Sequence, residues 1–226
     1  MLLLHGLGAT NGVWRGFDGL APDLPGHGTA RWDDTYTFTR HAEAVLPLLD
    51  GRDEPVVVVG HSMGGVVALA LAALAPERVR RVVALGVKVS WPAEDAARAA
   101  AMAQRPVATY DSRAEAVDRF LRVSGLAGLV APDDPMVDDA VVDRAAAGEG
   151  SGWRLAQDPR TFGVGVPDMA ALLAAVTCPV VLGRGEHDPM VTHEQLASLV
   201  ADPVTLPGLG HNAHVEDPAA VLALVG

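Results

Sequence analysis

Val56-Val57-Val58-Val59-Gly60-His61-Ser62-Met63-Gly64-Gly65-Val66-Val67-Ala68-Leu69 is the stretch from which the architecture is read. Four consecutive valines predict a strand buried on both faces, and the Ala/Leu-rich run after Gly65 predicts a buried helix, so Ser62 falls on the turn between them. The G-x-S-x-G spacing fits a turn so sharp that side chains at Gly60 and Gly64 would collide with the neighbouring strand and helix. Such a turn lifts the serine oxygen clear of the sheet and aims it at the helix N-terminus. A reacting carbonyl held there would develop its negative charge beside backbone N–H groups, that of Met63 included, where the helix dipole favours an anion. Taken alone, the motif also fits a glycine-rich turn whose serine caps a helix; the strand before it and the helix after it favour the reactive reading.

The chain has 226 residues, half of them hydrophobic, enough for one sizeable core and too few for two. Its net charge of −11 and the absence of a basic run argue against nucleic acid as a partner. Cys178 is the single cysteine, which excludes an internal disulfide and a thiolate metal cluster. It leads into the apolar run Pro179-Val180-Val181, as a small buried thiol would. No stretch approaches a membrane span, and Met1-Leu2-Leu3-Leu4 is too short for the apolar centre of a signal peptide, so cytoplasmic residence is the default expectation.

In chain order, Leu2-Leu3-Leu4 predicts a short inner strand ending at His5-Gly6-Leu7-Gly8, whose glycines permit a tight turn that leaves the Leu7 amide free to point at a ligand. Gly6, Gly8 and Gly12 do not have the spacing of a dinucleotide fingerprint. Gly19 to Gly28 predicts a further short strand, placed at a sheet edge because Pro22 cannot donate to a ladder. Thr39 to Leu49 predicts a helix, and Arg81 to Gly86 a strand. Residues 90–176 lose the valine runs and gain prolines, which predicts several short helices inserted between strands. Pro179 to Gly183 and Pro203 to Leu206 resume the strand pattern. Thr192 to Val200, capped by Thr192, and Pro218 to Val225 predict helices. Alternating strands and helices imply a parallel sheet covered on both faces, with ligands at the carboxyl ends of its strands.

A serine hydroxyl needs a base within reach, and that base needs a partner to set its tautomer. A loop after the last strand, Pro207-Gly208-Leu209-Gly210-His211, can bring His211 over Ser62, while Glu186-His187-Asp188 follows the strand before. His61 is next to the serine, but neighbours at a strand end point apart, which favours a structural role. His211 and His214 are three residues apart, yet no further ligands accompany them as a metal site would require.

With these residues assembled, the chain resembles the α/β-hydrolase superfamily, in particular its compact cap-bearing branch of esterases and lactonases. The likeness rests on four motifs in order: His5-Gly6-Leu7-Gly8, Asp23-Leu24-Pro25-Gly26-His27-Gly28, the turn at Ser62, and the late loops with Asp188 and with Gly210-His211 leading to Glu216-Asp217-Pro218. It implies an α/β fold: a mostly parallel sheet of about six strands, reduced at the N-terminus, formed by residues 1–89 and 177–226, with 90–176 as a helical cap insert. It also implies Ser62 as nucleophile, His211 as base and then acid, Asp188 as the orienting carboxylate, and the Leu7 and Met63 amides as the oxyanion hole. Glu186 rivals Asp188, whereas Gly86-Val87-Lys88-Val89-Ser90, where some relatives keep the acid, has no carboxylate. Trp14, Trp91, Met136, Trp153 and Phe162 are the candidates for an apolar substrate pocket. The implied activity is hydrolysis of a carboxylic ester of a small, largely apolar substrate, with no cofactor or metal. Thioester, lactone or carbon–carbon cleavage would use the same groups, and a non-catalytic ligand-binding protein that kept the pocket is the alternative of another kind.

Overall fold

Strand and helix alternate along the chain: β1 (Leu2–Leu4), α1 (Phe38–Val45), β2 (Val56–His61), α2 (Met63–Leu74), β3 (Val79–Leu85), α3 (Ala93–Ala103), α4 (Arg113–Val123), β4 (Val141–Asp143), β5 (Trp153–Leu155), α5 (Met169–Ala175), β6 (Val180–Gly185), α6 (His193–Ala197), β7 (Val204–Leu206), α7 (Ala213–Glu216) and α8 (Pro218–Leu222). These elements come from a computed structural model that describes residues 1–226. No helix is long and apolar enough to cross a membrane.

The main sheet is parallel throughout, in the order β1-β2-β3-β6-β7. Successive strands are thus added at the same edge, and right-handed crossovers then place their helices on one face. The side chains obey this: Leu2, Leu4, Val56, Val58, Val82 and Leu182 share a core with α1, α2, α5 and α6. Leu3, Val57, Val59, Val83 and Leu85 point the other way, into a second core with Trp14, α4, Ala213 and Val221. The four valines of β2 therefore divide two and two between the cores. α2 is buried on every side from Met63 to Ala72, as its nearly all-apolar sequence predicts.

Three expectations are corrected. The sheet has five strands and not about six, because the Gly19–Gly28 segment contributes one bridge only, Leu20 beside Leu2. Leu20 gives and receives one backbone hydrogen bond (2.9 Å each, with Met1 and Leu3), after which Pro22, lacking an N–H, cannot extend the ladder. The insert is not purely helical: β4 and β5 form an antiparallel hairpin, Val141 opposite Leu155 and Asp143 opposite Trp153. Its turn is made by Gly148, Gly150 and Gly152, all at positive φ. Finally, α5 falls within residues 90–176 but packs against α2 in the core of the main sheet.

Because Leu69 is wholly buried in α2, Leu69→Ala should lower stability by about 2–5 kcal/mol, read from the denaturant midpoint at unchanged m-value. An unchanged midpoint would contradict a close-packed helix.

Candidate active site

Ser62 sits between β2 and α2 at φ 50 and ψ −115, and it is the one non-glycine residue with positive φ. Its neighbours explain how the chain closes so tightly. A Cβ at Gly60 would lie 2.2 Å from the Gly64 carbonyl oxygen, and one at Gly64 would lie 2.2 Å from that of Leu4. The Ser62 N–H donates to the Leu85 carbonyl at 2.7 Å, which ties the turn to β3. The Ser62 Oγ makes no hydrogen bond and faces a cavity of about 430 Å3. Met63 is the first residue of α2, so its N–H has no partner within the helix.

The turn after β1 closes over the same spot. A Cβ at Gly6 would lie 3.3 Å from that of Ser62, and the Leu7 N–H donates to no group in the protein. Two wholly buried histidines hold this turn against the loop at Asp23–Gly28. The His5 Nε2 accepts from the Leu24 N–H (2.9 Å), and the His27 Nε2 accepts from the Gly8 N–H (3.2 Å). Each ring therefore carries its proton on Nδ1, donated to the carbonyl of Gly6 (2.9 Å) or of Pro25 (3.3 Å). The Asp23 carboxylate accepts the N–H groups of Asn11 and Thr29 and the Thr29 hydroxyl, closing the loop on itself.

His211, after β7, meets Asp188, after β6. The His211 Nδ1–H donates to the Asp188 carboxylate, 3.0 and 3.1 Å from its two oxygens, and the Asp188 side chain is wholly buried. Glu186 is exposed and accepts the Gly208 N–H at 2.8 Å instead. The loop bearing Asp188 is braced by Arg184, whose guanidinium donates to the carbonyls of Val191, Glu186 and Asp188. The His61 Nε2–H donates to the His211 carbonyl at 2.9 Å, and the Asn212 amide donates to those of Ser124 and Gly125 at the end of α4. Gly86 at φ 60 lets β3 pass beneath the pair: a Cβ there would be 3.1 Å from both Asp188 Oδ2 and His211 Nδ1.

The structure brings Leu7, Ser62, Met63 and His211 to one cavity, with Asp188 behind His211. No hydrogen bond joins Ser62 Oγ to the His211 imidazole. Of the aromatic and methionine candidates, Trp91 lines this cavity and Phe162 lines a smaller neighbouring one. Trp14, Met136 and Trp153 line neither. Trp14 is buried against His214 at 4.5 Å between ring centres, Met136 covers Gly12, and Trp153 belongs to the hairpin and pairs with Tyr110. Sequence reading overlooked Arg184, Asn212 and the His5–His27 pair. The signal for Arg184 was an arginine inside a glycine-flanked strand run, where burial obliges it to find acceptors.

The alpha/beta hydrolase family matches this sequence over residues 1–224, and the chain belongs to that family. Among its relatives, the lipase LipV of Mycobacterium tuberculosis is 37% identical over 139 residues, which span 60% of this chain and 51% of that protein. The esterase Rv0045c of the same organism is 29% identical over 246 residues, covering all of this chain and 80% of the esterase. A crystal structure of that esterase aligns at a TM-score of 0.77 and 25% identity, over 99% of this chain and 82% of that one. A pimeloyl-[acyl-carrier protein] methyl ester esterase of Yersinia enterocolitica is 28% identical over all of this chain and 91% of that enzyme.

Five histidines are buried, His61 in the cavity wall and His5, His27, His41 and His214 outside it. Burial lowers the pKa of His5, takes His27 and His61 well below the usual value, and brings His41 to about 4 and His214 to about 3. In the unfolded chain these rings take up protons near a pKa of about 6.5. Between that value and their folded values the unfolded state binds more protons, so stability falls as pH falls. The unfolding midpoint should therefore drop between pH 7.5 and 5.5, each ring contributing up to about 1.4 kcal/mol per pH unit; a midpoint that is flat or rises would contradict neutral burial. Gly64→Ala should destabilise by about 1–3 kcal/mol in the same measurement, because the added methyl meets backbone and not a movable side chain.

Proposed function

We propose that this chain is a serine hydrolase that cleaves carboxylic esters through an acyl-enzyme on Ser62. The observation that carries the reading is the free Ser62 Oγ in the cavity that His211 also lines, beside the unpartnered N–H groups of Leu7 and Met63. Because His211 donates from Nδ1 to Asp188, its Nε2 keeps a lone pair and serves as the base. Ser62 Oγ attacks the ester carbonyl carbon while its proton passes to His211 Nε2. The oxygen that gains the negative charge is held by the Leu7 and Met63 amides, each such donor being worth about 3 kcal/mol in the transition state. The C–O bond to the alcohol then breaks, and His211 returns the proton to the departing oxygen. Water, deprotonated by His211, attacks the acyl-enzyme in the same manner and frees the acid and Ser62.

The esterases and the lipase among the relatives support an ester over the other bonds this chemistry could break. Leu7, Phe38, Met63, Val66, Trp91 and Val164 give the cavity apolar walls, which suits a small and largely apolar substrate. The segment after β3 supplies Trp91, Val123, Ser124 and Val164 to those walls and acts as the cap. A protein that only bound its ligand would have no need of the buried Asp188 beneath His211.

With p-nitrophenyl butyrate, Ser62→Ala should remove turnover at an unchanged unfolding midpoint; a wild-type rate would refute the assignment. Asp188→Asn should lower kcat by a factor on the order of 10,000 with little change in KM, since the imidazole loses the acceptor that sets its tautomer. A loss confined to KM would place Asp188 outside the proton relay.

A further inference from the structure

A second cavity of about 120 Å3 lies behind the turn that carries Leu7 and Gly8. The partition between the two cavities is Val123, the last residue of α4, which lines both. Val123 is packed hard against that turn: a Cβ at Gly8 would come within 2.6 Å of Val123 Cγ1. The walls of the second cavity are mostly apolar, with Met102, Val107, Leu155 and Phe162 among them. Gln157 adds a buried amide whose Nε2 donates to Thr161 while its Oε1 has no hydrogen bond.

At its rim are Arg105 and Arg119, and neither guanidinium makes a hydrogen bond or an ion pair with the protein. The nearby carboxylates are engaged elsewhere: Asp118 holds Arg122 at 2.9 and 3.0 Å, and Glu115 accepts the Asp111 N–H. An apolar hollow with two unpaired arginines at its rim matches a hydrocarbon chain that ends in an anion, because the chain is dehydrated while its charge meets planar, two-pronged donors.

We propose that the second cavity is the far end of the substrate site, reached when the Val123 side chain turns aside, and takes the terminal carboxylate of an ester whose chain extends past it, such as a half-ester of a dicarboxylic acid. This rests on Ser62 being the reacting group, and it adds the substrate class to that reading. Val123 then governs chain length, and Arg105 with Arg119 governs the preference for a charged end.

The test compares mono-p-nitrophenyl suberate with p-nitrophenyl octanoate, which match in length and differ by the carboxylate. For Arg105→Gln/Arg119→Gln, the ratio of kcat/KM for the charged over the neutral ester should fall about tenfold or more through KM, as loss of hydrogen bonds to a charged group implies. Val123→Trp, which narrows the way between the two cavities, should raise KM for both eight-carbon esters by more than it raises that for p-nitrophenyl acetate. An unchanged ratio in the arginine variant, or equal losses on both long esters, would overturn the proposal. Calorimetry of monomethyl suberate on Ser62→Ala, with and without the arginine changes, separates the two readings. Binding weakened about tenfold by the arginine changes supports this site even if no ester is turned over, and binding that is equal or absent in both refutes it whatever the activity.

Discussion

Everything about the site follows from one strained residue. Holding Ser62 at φ 50 costs about 1–3 kcal/mol, and the conformation persists because its surroundings leave no alternative. Gly60 and Gly64 approach to distances that admit no side chain, the Ser62 N–H is tied to Leu85, and α2 is anchored by burial along ten consecutive residues. Relaxing the serine would mean moving a helix that both neighbouring strands and the crossover helices pack against. The strain is thus stabilised by the core, and its result is a hydroxyl with no partner in the protein, next to a helix N-terminus whose first N–H is also unpaired.

The second constraint is electrical neutrality around that hydroxyl. His5, His27, His61 and His214 are buried rings kept uncharged by desolvation. As neutral rings, His5 and His27 accept backbone N–H groups, which protonated imidazoles could not do, and so they stitch the turn at Leu7 to the loop at Asp23. Asp188 is the buried carboxylate set against His211, and Arg184 orders its loop through three backbone carbonyls. The other charged groups in the cavity walls, Lys88 and Arg122, are each paired with a carboxylate, Asp95 and Asp118.

Much of this was legible because it is encoded locally. The valine run, the two glycines about Ser62 and the alternation of strand and helix each carry their meaning within a dozen residues, and all three are found as read. The meeting of His211 with Asp188 was reached through motif order, and the choice over Glu186 rested on the family pattern; the geometry adds that Glu186 is turned outward to Gly208. What escaped is what depends on distant neighbours. Two three-residue strands, Val141–Asp143 and Trp153–Leu155, are too short to show a period. Leu20 reads as part of a strand until Pro22 ends the ladder after a single bridge. Trp14, Met136 and Trp153 look like pocket residues by type alone, yet an aromatic ring serves a core as well as a cavity, and only packing against His214, Gly12 and Tyr110 decides.

The most direct measurement is a crystal structure of the protein after reaction with an alkyl fluorophosphonate. Our account predicts phosphorus bonded to Ser62 Oγ, the phosphoryl oxygen within hydrogen-bond distance of the Leu7 and Met63 amides, and the His211 imidazole turned toward Oγ. Unmodified Ser62, or an adduct whose phosphoryl oxygen points to bulk water away from both amides, would contradict it.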